Sequence, residues 1–130
     1  MQARGEFEVN LQPLVAYATG SEGITLGRMS IQKTFRGDLA AQSQGEMLTA
    51  LSGVQGSGGY VAIEQVGGTL HGRIGAFVLQ HFGIMDGGVN SLVLEVVPGS
   101  GTGQLTDLRG KMSIFIEDGR HFYEFDYVLP

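Results

Sequence analysis

The sequence predicts an all-β protein, an eight-stranded antiparallel up-and-down β-barrel with a lipocalin-like shape. Apolar and polar residues alternate along most of the chain, and 22 glycines fall at intervals between the alternating runs. No segment shows the apolar stripe of a helix. Short turns between many strands favour an antiparallel meander, and closure removes its exposed edges. A two-sheet sandwich is the alternative.

Eight strands follow one another in chain order. They are predicted at Ala3–Leu11, Thr25–Phe35, Asp38–Leu51, Gly59–Leu70, Arg73–Met85, Asn90–Val97, Leu105–Ile116 and His121–Leu129. Tight turns are predicted at Arg36–Gly37, His71–Gly72 and Asp86–Gly88, and longer loops at Gln12–Ile24, Ser52–Gly58 and Pro98–Gln104. Eight strands give an interior that side chains can fill or that can hold one small ligand.

The last hairpin is the clearest local signal. Asp118-Gly119 between alternating runs indicates a type I′ turn, because both central residues need a positive φ. This turn pairs Ile116 with His121 and Ile114 with Tyr123. One face then carries Met112, Ile114, Ile116, His121, Tyr123, Phe125 and Tyr127, whereas the other is mainly charged. An enclosed apolar face with a few polar groups is typical of a small-molecule cavity.

A second hairpin places a carboxylate near an imidazole. If His71-Gly72 is a two-residue turn, Ala62 lies opposite His81, and Tyr60, Glu64 and His81 share one mainly apolar face. Glu64 and His81 are then diagonal neighbours within reach of each other. Such a pair can act as a general acid or base. A structural hydrogen-bonded pair, or a Glu64 that faces solvent, is the alternative.

The other candidate site residues are Glu46 in the third strand and three residues of the last hairpin. An Arg36-Gly37 turn would place Glu46 beside Gly27, as an inward carboxylate on the side of Met29 and Ile31. His121 would lie near a barrel mouth, as a ligand contact or as a half-exposed strand end. Tyr123 and Tyr127 are either ligand contacts or core phenols with backbone partners.

Composition limits the partners. The chain of 130 residues predicts one domain, residues 1–130, with a net charge of -5, no Lys/Arg cluster and no cysteine. We therefore expect no nucleic-acid partner. The absence of cysteine fits a cytoplasmic protein, which is the location we expect. No apolar run is long enough for a membrane span, so we expect no membrane partner. The histidines His71, His81 and His121 are too scattered for a metal site, and we expect no metal and no cofactor.

Two aromatic residues interrupt the charged face of the last hairpin. Phe115 and Phe122 are predicted cross-strand partners there. An exposed apolar pair predicts a covering loop or a subunit interface, and we expect a homo-oligomer.

Six runs along the chain carry a family resemblance. They are Gly45–Met47, Gly58–Glu64, Gly68–Arg73, Phe77–His81, Gly101–Leu105 and Asp118–Phe125. With them the sequence resembles a bacterial family known as domain of unknown function 3224, which looks like the allene oxide cyclase-like barrels. The resemblance implies an eight-stranded barrel with an apolar central cavity, sometimes oligomeric. It implies no activity. The allene oxide cyclase-like barrels include plant cyclases, but no catalytic residue is carried over from them.

These observations give two functional hypotheses. In the first, the barrel binds a small apolar or amphipathic molecule, oriented by polar side chains. In the second, it is a cofactor-free isomerase or cyclase that acts on a hydrophobic substrate inside the barrel. The candidate catalytic residues are Glu64 and His81, and the candidate ligand-binding residues are Tyr60, His121, Tyr123, Glu46 and Tyr127. A barrel filled with side chains, functional on its outer surface, is a third possibility.

Overall fold

The computed structural model describes residues 1–130 as one closed barrel of antiparallel strands, in which each strand pairs with its neighbours in the chain and β8 pairs with β1. The strands are β1 (Gln2–Leu14), β2 (Thr25–Gly37), β3 (Leu39–Leu51), β4 (Gly58–Leu70), β5 (Arg73–Asp86), β6 (Val89–Val96), β7 (Arg109–Glu117) and β8 (Arg120–Val128). This confirms the predicted fold class. No helix is long and apolar enough to cross a bilayer.

Two tight turns fix the registers that matter most for the interior. Asp118 and Gly119 have φ of 52° and 76°, as a type I′ turn requires, and Ile116 pairs with His121. His71 and Gly72, the central residues of the turn between β4 and β5, also have positive φ, and Ala62 pairs with His81. Both predicted hairpin registers are therefore confirmed.

The predicted register between β2 and β3 is wrong. Glu46 lies opposite Ser30 instead of Gly27, so it points outwards. The corner between the two strands is wider than a two-residue turn because it wraps around the Tyr123 hydroxyl. This hydroxyl accepts a hydrogen bond from the Leu39 backbone N–H at 2.9 Å and lies 2.8 Å from the Arg36 carbonyl oxygen, to which it donates. An odd change of register reverses the faces of a strand.

The start of β7 also differs from the prediction. Residues 103–105 form a short 3-10 helix, and β7 begins at Arg109 instead of Leu105. Asp107 has a φ of 67°, which interrupts any extended run there. Leu105 and Leu108 are buried in the hydrophobic core, and the loop that carries them closes one end of the barrel.

The interior has a filled half and a hollow half. The closed end holds both chain termini and a continuous core, made of Ala3, Phe7, Phe35, Leu39, Ala41, Val66, Leu70, Phe77, Leu79, Leu94, Val96, Leu105, Leu108, Met112, Tyr123, Phe125 and Tyr127. The other end carries the Asp118-Gly119 turn and the loop between β1 and β2. Inward side chains near that end are only partly buried. Close packing of the first half leaves the second half available for a cavity.

The barrel wall is joined most weakly between β6 and β7. This seam has two paired positions, Leu94 with Met112 and Glu95 with Lys111, and the strands diverge towards the open end. Leu92 and Ile114 lie on either side of the divergence and both line the hollow half. The wall of the hollow half is therefore least constrained by backbone hydrogen bonds at this seam.

At Gly45 the backbone of β4 leaves no room for a side chain on β3. A Cβ atom at this position would overlap the Ile63 carbonyl oxygen and lie 2.6 Å from Glu64 Cα. We expect Gly45→Ala to lower the free energy of unfolding by about 3 kcal/mol, the upper end of the usual overpacking cost, as measured by urea denaturation.

Gly67→Ala is the matched control. A Cβ atom there would meet only the Ala76 Cβ, at 3.8 Å. We expect this variant to stay within about 1 kcal/mol of the wild type. Equal losses in the two variants would contradict the assigned close approach.

Candidate functional site

The hollow half contains a cavity of about 670 Å³ that opens at the end away from the chain termini. Its walls are mainly apolar. The lining residues are Phe7, Val9, Leu11, Ile31, Lys33, Met47, Tyr60, His81, Asn90, Leu92, Ile114, Phe115, Ile116 and His121. A volume of this size is in the range of about 300–1,000 Å³ that small-molecule sites occupy.

Glu64 lies at the floor of the cavity and is fully buried. Its Oε1 accepts hydrogen bonds from Lys33 Nζ at 3.0 Å and from His81 Nε2 at 2.7 Å. Its Oε2 accepts one from the Ser43 hydroxyl at 2.5 Å. No buried side-chain polar atom in the chain lacks a partner. A buried carboxylate is tolerated here because both oxygens are hydrogen-bonded and one partner is a cation.

These partners keep Glu64 ionised. Burial by itself would raise the pKa of Glu64, but the hydrogen bond from His81, the charge of Lys33 and the hydrogen bond from Ser43 outweigh it. Together they lower the pKa to about 2 from its ordinary value of 4.5. Glu64 therefore serves as a fixed negative charge and not as a proton store at neutral pH.

His81 connects Glu64 to a phenol at the cavity wall. An ionised carboxylate only accepts hydrogen bonds, so His81 Nε2 carries the proton towards Glu64. His81 Nδ1 lies 3.1 Å from the Tyr60 hydroxyl, which donates to it when the imidazole is neutral. Burial, and then the negative charge of Glu64, raise the pKa of Tyr60 to about 12. The cavity thus has a protonated phenol at the end of a three-residue hydrogen-bonded chain.

Lys33 is the residue of this site that sequence reasoning missed. It is buried, and its Nζ lies 5.0 Å from the centre of the Phe7 ring and 5.7 Å from that of Phe35. The signal was present, because Lys33 continues the alternation Met29, Ile31, Lys33, Phe35 of an inward face. Ser43 was also missed, because a register that turns Glu46 inwards would turn Ser43 outwards.

The structure brings together part of the predicted site. Tyr60, Glu64 and His81 meet as predicted, and His121 lines the cavity nearer its mouth, 5.2 Å from Phe7 between ring centres. The pair of Glu64 and His81 is thus hydrogen-bonded and does not face solvent.

Three other candidates lie elsewhere. Tyr123 and Tyr127 belong to the filled half, where Tyr127 hydrogen-bonds to His71 Nδ1 at 2.5 Å. Burial raises the pKa of both phenols. The inward placement of Glu46 was wrong. This carboxylate is exposed on the outer surface and forms an ion pair with Arg28, at 2.5 Å. None of the three lines the cavity.

Comparisons with known proteins agree on one family. A family model described as protein of unknown function (DUF3224) matches residues 3–127. The chain is also similar to a protein of unknown function from that family of Shewanella oneidensis MR-1, known from a crystal structure. The two share 60% sequence identity and a TM-score of 0.98, over 100% of this chain and 97% of the other. No curated protein matches the sequence.

The lowered pKa of Glu64 predicts a pH dependence of stability. Because the folded-state pKa is below the ordinary value of 4.5, the stabilisation is complete above that pH and is lost as the pH falls towards 2. The difference corresponds to about 3 kcal/mol. Between neutral pH and pH 2, the unfolding free energy of the wild type should therefore fall by about 3 kcal/mol more than that of Glu64→Gln, as measured by urea denaturation.

Glu64→Gln should itself be destabilised at neutral pH, because it leaves the Lys33 ammonium buried without its counter-charge. The double variant Lys33→Met/Glu64→Gln removes both charges and should be the more stable of the two. A gap between the wild type and Glu64→Gln that does not narrow on acidification would show that Glu64 is not ionised in the fold.

Proposed function

Since the chain belongs to the DUF3224 family of proteins of unknown function, we propose its function from the geometry of the barrel: it binds one small apolar or amphipathic molecule in the central cavity. The observation that carries this proposal is the cavity of about 670 Å³, with apolar walls above a buried polar floor. Apolar walls supply affinity by removing ligand surface from water. A few fixed polar groups supply orientation.

Hydrogen bonds within the protein itself fix the polar groups at the floor of the cavity. Glu64 holds Lys33 and His81 by hydrogen bonds, and His81 in turn holds the Tyr60 hydroxyl. Groups fixed in this way lose little conformational freedom when they engage a ligand, which favours binding. The proposed ligand-orienting groups are therefore Lys33, Tyr60 and His81 at the floor, with His121 nearer the mouth.

A second candidate is an isomerase or cyclase on the same scaffold. The observation in its favour is the hydrogen-bonded chain from Glu64 through His81 to Tyr60. Glu64 would orient the imidazole. With His81 as an imidazolium that donates from Nδ1 to the Tyr60 oxygen, the phenol hydrogen would be free to donate to an oxygen that gains negative charge during the reaction. The resemblance to the allene oxide cyclase-like barrels, like the cytoplasmic location, stays a prediction from the sequence.

We also propose that the partner of this chain is a second copy of itself. Leu48, Val61, Phe82 and Val93 are paired in one row across the outer faces of β3 to β6, and all four are exposed. An uncharged row across four adjacent strands can pack against its own copy without needing an opposite charge. This row is wider than the stacked pair of Phe115 and Phe122 on the last hairpin, part of which Arg120 covers.

Blocking the cavity tests the binding function. Ile114 lines the cavity, and its neighbour Ser113 on the same strand is exposed on the outer face. We expect Ile114→Trp to narrow the cavity and weaken the binding of N-phenylnaphthylamine, a neutral apolar dye followed by its fluorescence increase, while Ser113→Trp binds the dye like the wild type. Native mass spectrometry of wild-type protein from its own host should then reveal a bound small molecule.

Equal dye binding by the two tryptophan variants would contradict the proposal that the cavity is the binding site. The same material also separates the two candidate functions. A molecule that is released unchanged after prolonged incubation supports a binding protein, whereas a molecule that is rearranged into an isomer supports the enzyme.

Light scattering during gel filtration tests the self-association. We expect the wild type to elute above the monomer mass of 13.8 kDa, and Phe82→Glu to shift it to the monomer. Ile74→Glu is the matched control, since Ile74 is an exposed apolar residue of the same strand outside the row. A wild type that elutes as a monomer would refute the interface.

A further inference from the structure

The lining of the cavity has an unusual charge balance for this chain. The protein carries 13 acidic against 8 basic residues, for a net charge of -5. The cavity lining nevertheless contains Lys33, His81 and His121 and not one aspartate or glutamate. The acidic residues are thus kept out of contact with whatever occupies the cavity.

Glu64, the one carboxylate at the floor, is not available to a ligand. It is fully buried, and its two oxygens are already taken by Lys33, His81 and Ser43. Glu64 lies on the far side of Lys33 and His81 from the cavity and fixes both side chains by hydrogen bonds. A molecule that enters the cavity meets the Lys33 ammonium as its hydrogen-bond donor, because both ring nitrogens of His81 and the Tyr60 hydroxyl hydrogen are engaged in the chain to Glu64.

Lys33 retains hydrogen-bonding capacity at the floor. A lysine ammonium has three N–H donors, and Glu64 is the one hydrogen-bond acceptor of Lys33 within the protein. Lys33 also lines the cavity. A ligand group placed there must therefore accept hydrogen bonds, because an apolar group would displace water from the ammonium without replacing its hydrogen bonds.

The rest of the lining fixes the shape of such a ligand. Between the floor and the open end the walls are apolar, with Ile31, Val9, Leu11, Leu92 and Ile114. These side chains suit a hydrocarbon segment. Asn90 and His121 are the polar lining residues nearer the mouth, where they can contact only the outer part of a ligand whose head lies at Lys33. A single polar head at the floor with a tail directed to the mouth satisfies both regions.

We infer that the cavity takes an amphipathic molecule with one carboxylate-class anionic head, which binds at Lys33 on the floor, and an apolar tail that extends towards the open end. This inference rests on the proposed binding function. A carboxylate suits the site because charge-assisted hydrogen bonds to an ammonium are stronger than neutral ones. A cationic head would lie against the Lys33 ammonium and would find no free carboxylate oxygen to accept its hydrogen bonds, because both oxygens of Glu64 are already hydrogen-bonded.

Three probes with the same tail test the head group. Decanoate, decanol and decylammonium are titrated into the full-length wild-type protein by isothermal calorimetry. We expect decanoate to bind at least about tenfold more tightly than decanol, which is the gain expected of one charge-assisted contact. Decylammonium should bind most weakly.

Variants of Lys33 assign the preference to this residue. Lys33→Met keeps the length of the side chain and removes its charge, so decanoate should lose its advantage over decanol. Lys33→Arg keeps the charge and should retain the advantage. If Lys33→Met fails to fold, intermolecular nuclear Overhauser effects in the wild type give the orientation: the terminal methyl of bound decanoate should contact Ile116, an exposed lining residue at the mouth, and not the buried Ile31.

The outcomes separate this inference from the proposal on which it rests. Decanol binding as tightly as decanoate, a decylammonium preference, or a tail methyl beside Ile31 would overturn the anionic head at the floor. Binding of N-phenylnaphthylamine without binding of any decyl probe would overturn it too, while the cavity remained a binding site. Failure of the dye and of all three probes would overturn both.

Discussion

The structure depends on how the barrel accommodates one buried negative charge. Glu64 sits where the packed half of the interior meets the hollow half, and Lys33, His81 and Ser43 satisfy both of its oxygens. An isolated carboxylate at this depth would take up a proton or force the barrel to open. Because its partners come from three different strands, the same contacts that stabilise the charge also tie β2, β3 and β5 to β4.

This arrangement explains why similar side chains have different roles along the barrel. Tyr123 and Tyr127 are inward phenols of the packed half, where their hydroxyls organise a backbone corner and a histidine. Tyr60 is an inward phenol of the hollow half, and its hydroxyl contacts the imidazole held by Glu64. Residue type and inward orientation are therefore not enough to define a site residue. Its height relative to Glu64 decides whether it faces packed side chains or free space.

Sequence reasoning succeeded where a local turn determined the register. The Asp118-Gly119 and His71-Gly72 turns specify their strand pairings through positive φ. The second of these turns was sufficient to predict that Glu64 lies next to His81. Sequence reasoning failed between β2 and β3, because that corner is shaped by the Tyr123 hydroxyl from a strand more than 80 positions away. Because this register was wrong, the inward face of β3 was not identified either. The short 3-10 helix that buries Leu105 was missed for a similar reason, because the burial of Leu105 depends on a core assembled from distant strands.

The ionisation of Glu64 is the claim on which both the stability of the floor and its donor character depend. A carbon-13 NMR titration of the Glu64 side-chain carboxyl measures it directly in the folded protein. We expect this carboxyl to stay ionised at pH 4.5, the ordinary pKa of a glutamate, and to titrate with a midpoint of about 2. A midpoint at or above 4.5 would contradict it, because the hydrogen bonds from His81 and Ser43 and the charge of Lys33 would then not outweigh the cost of burying the carboxylate.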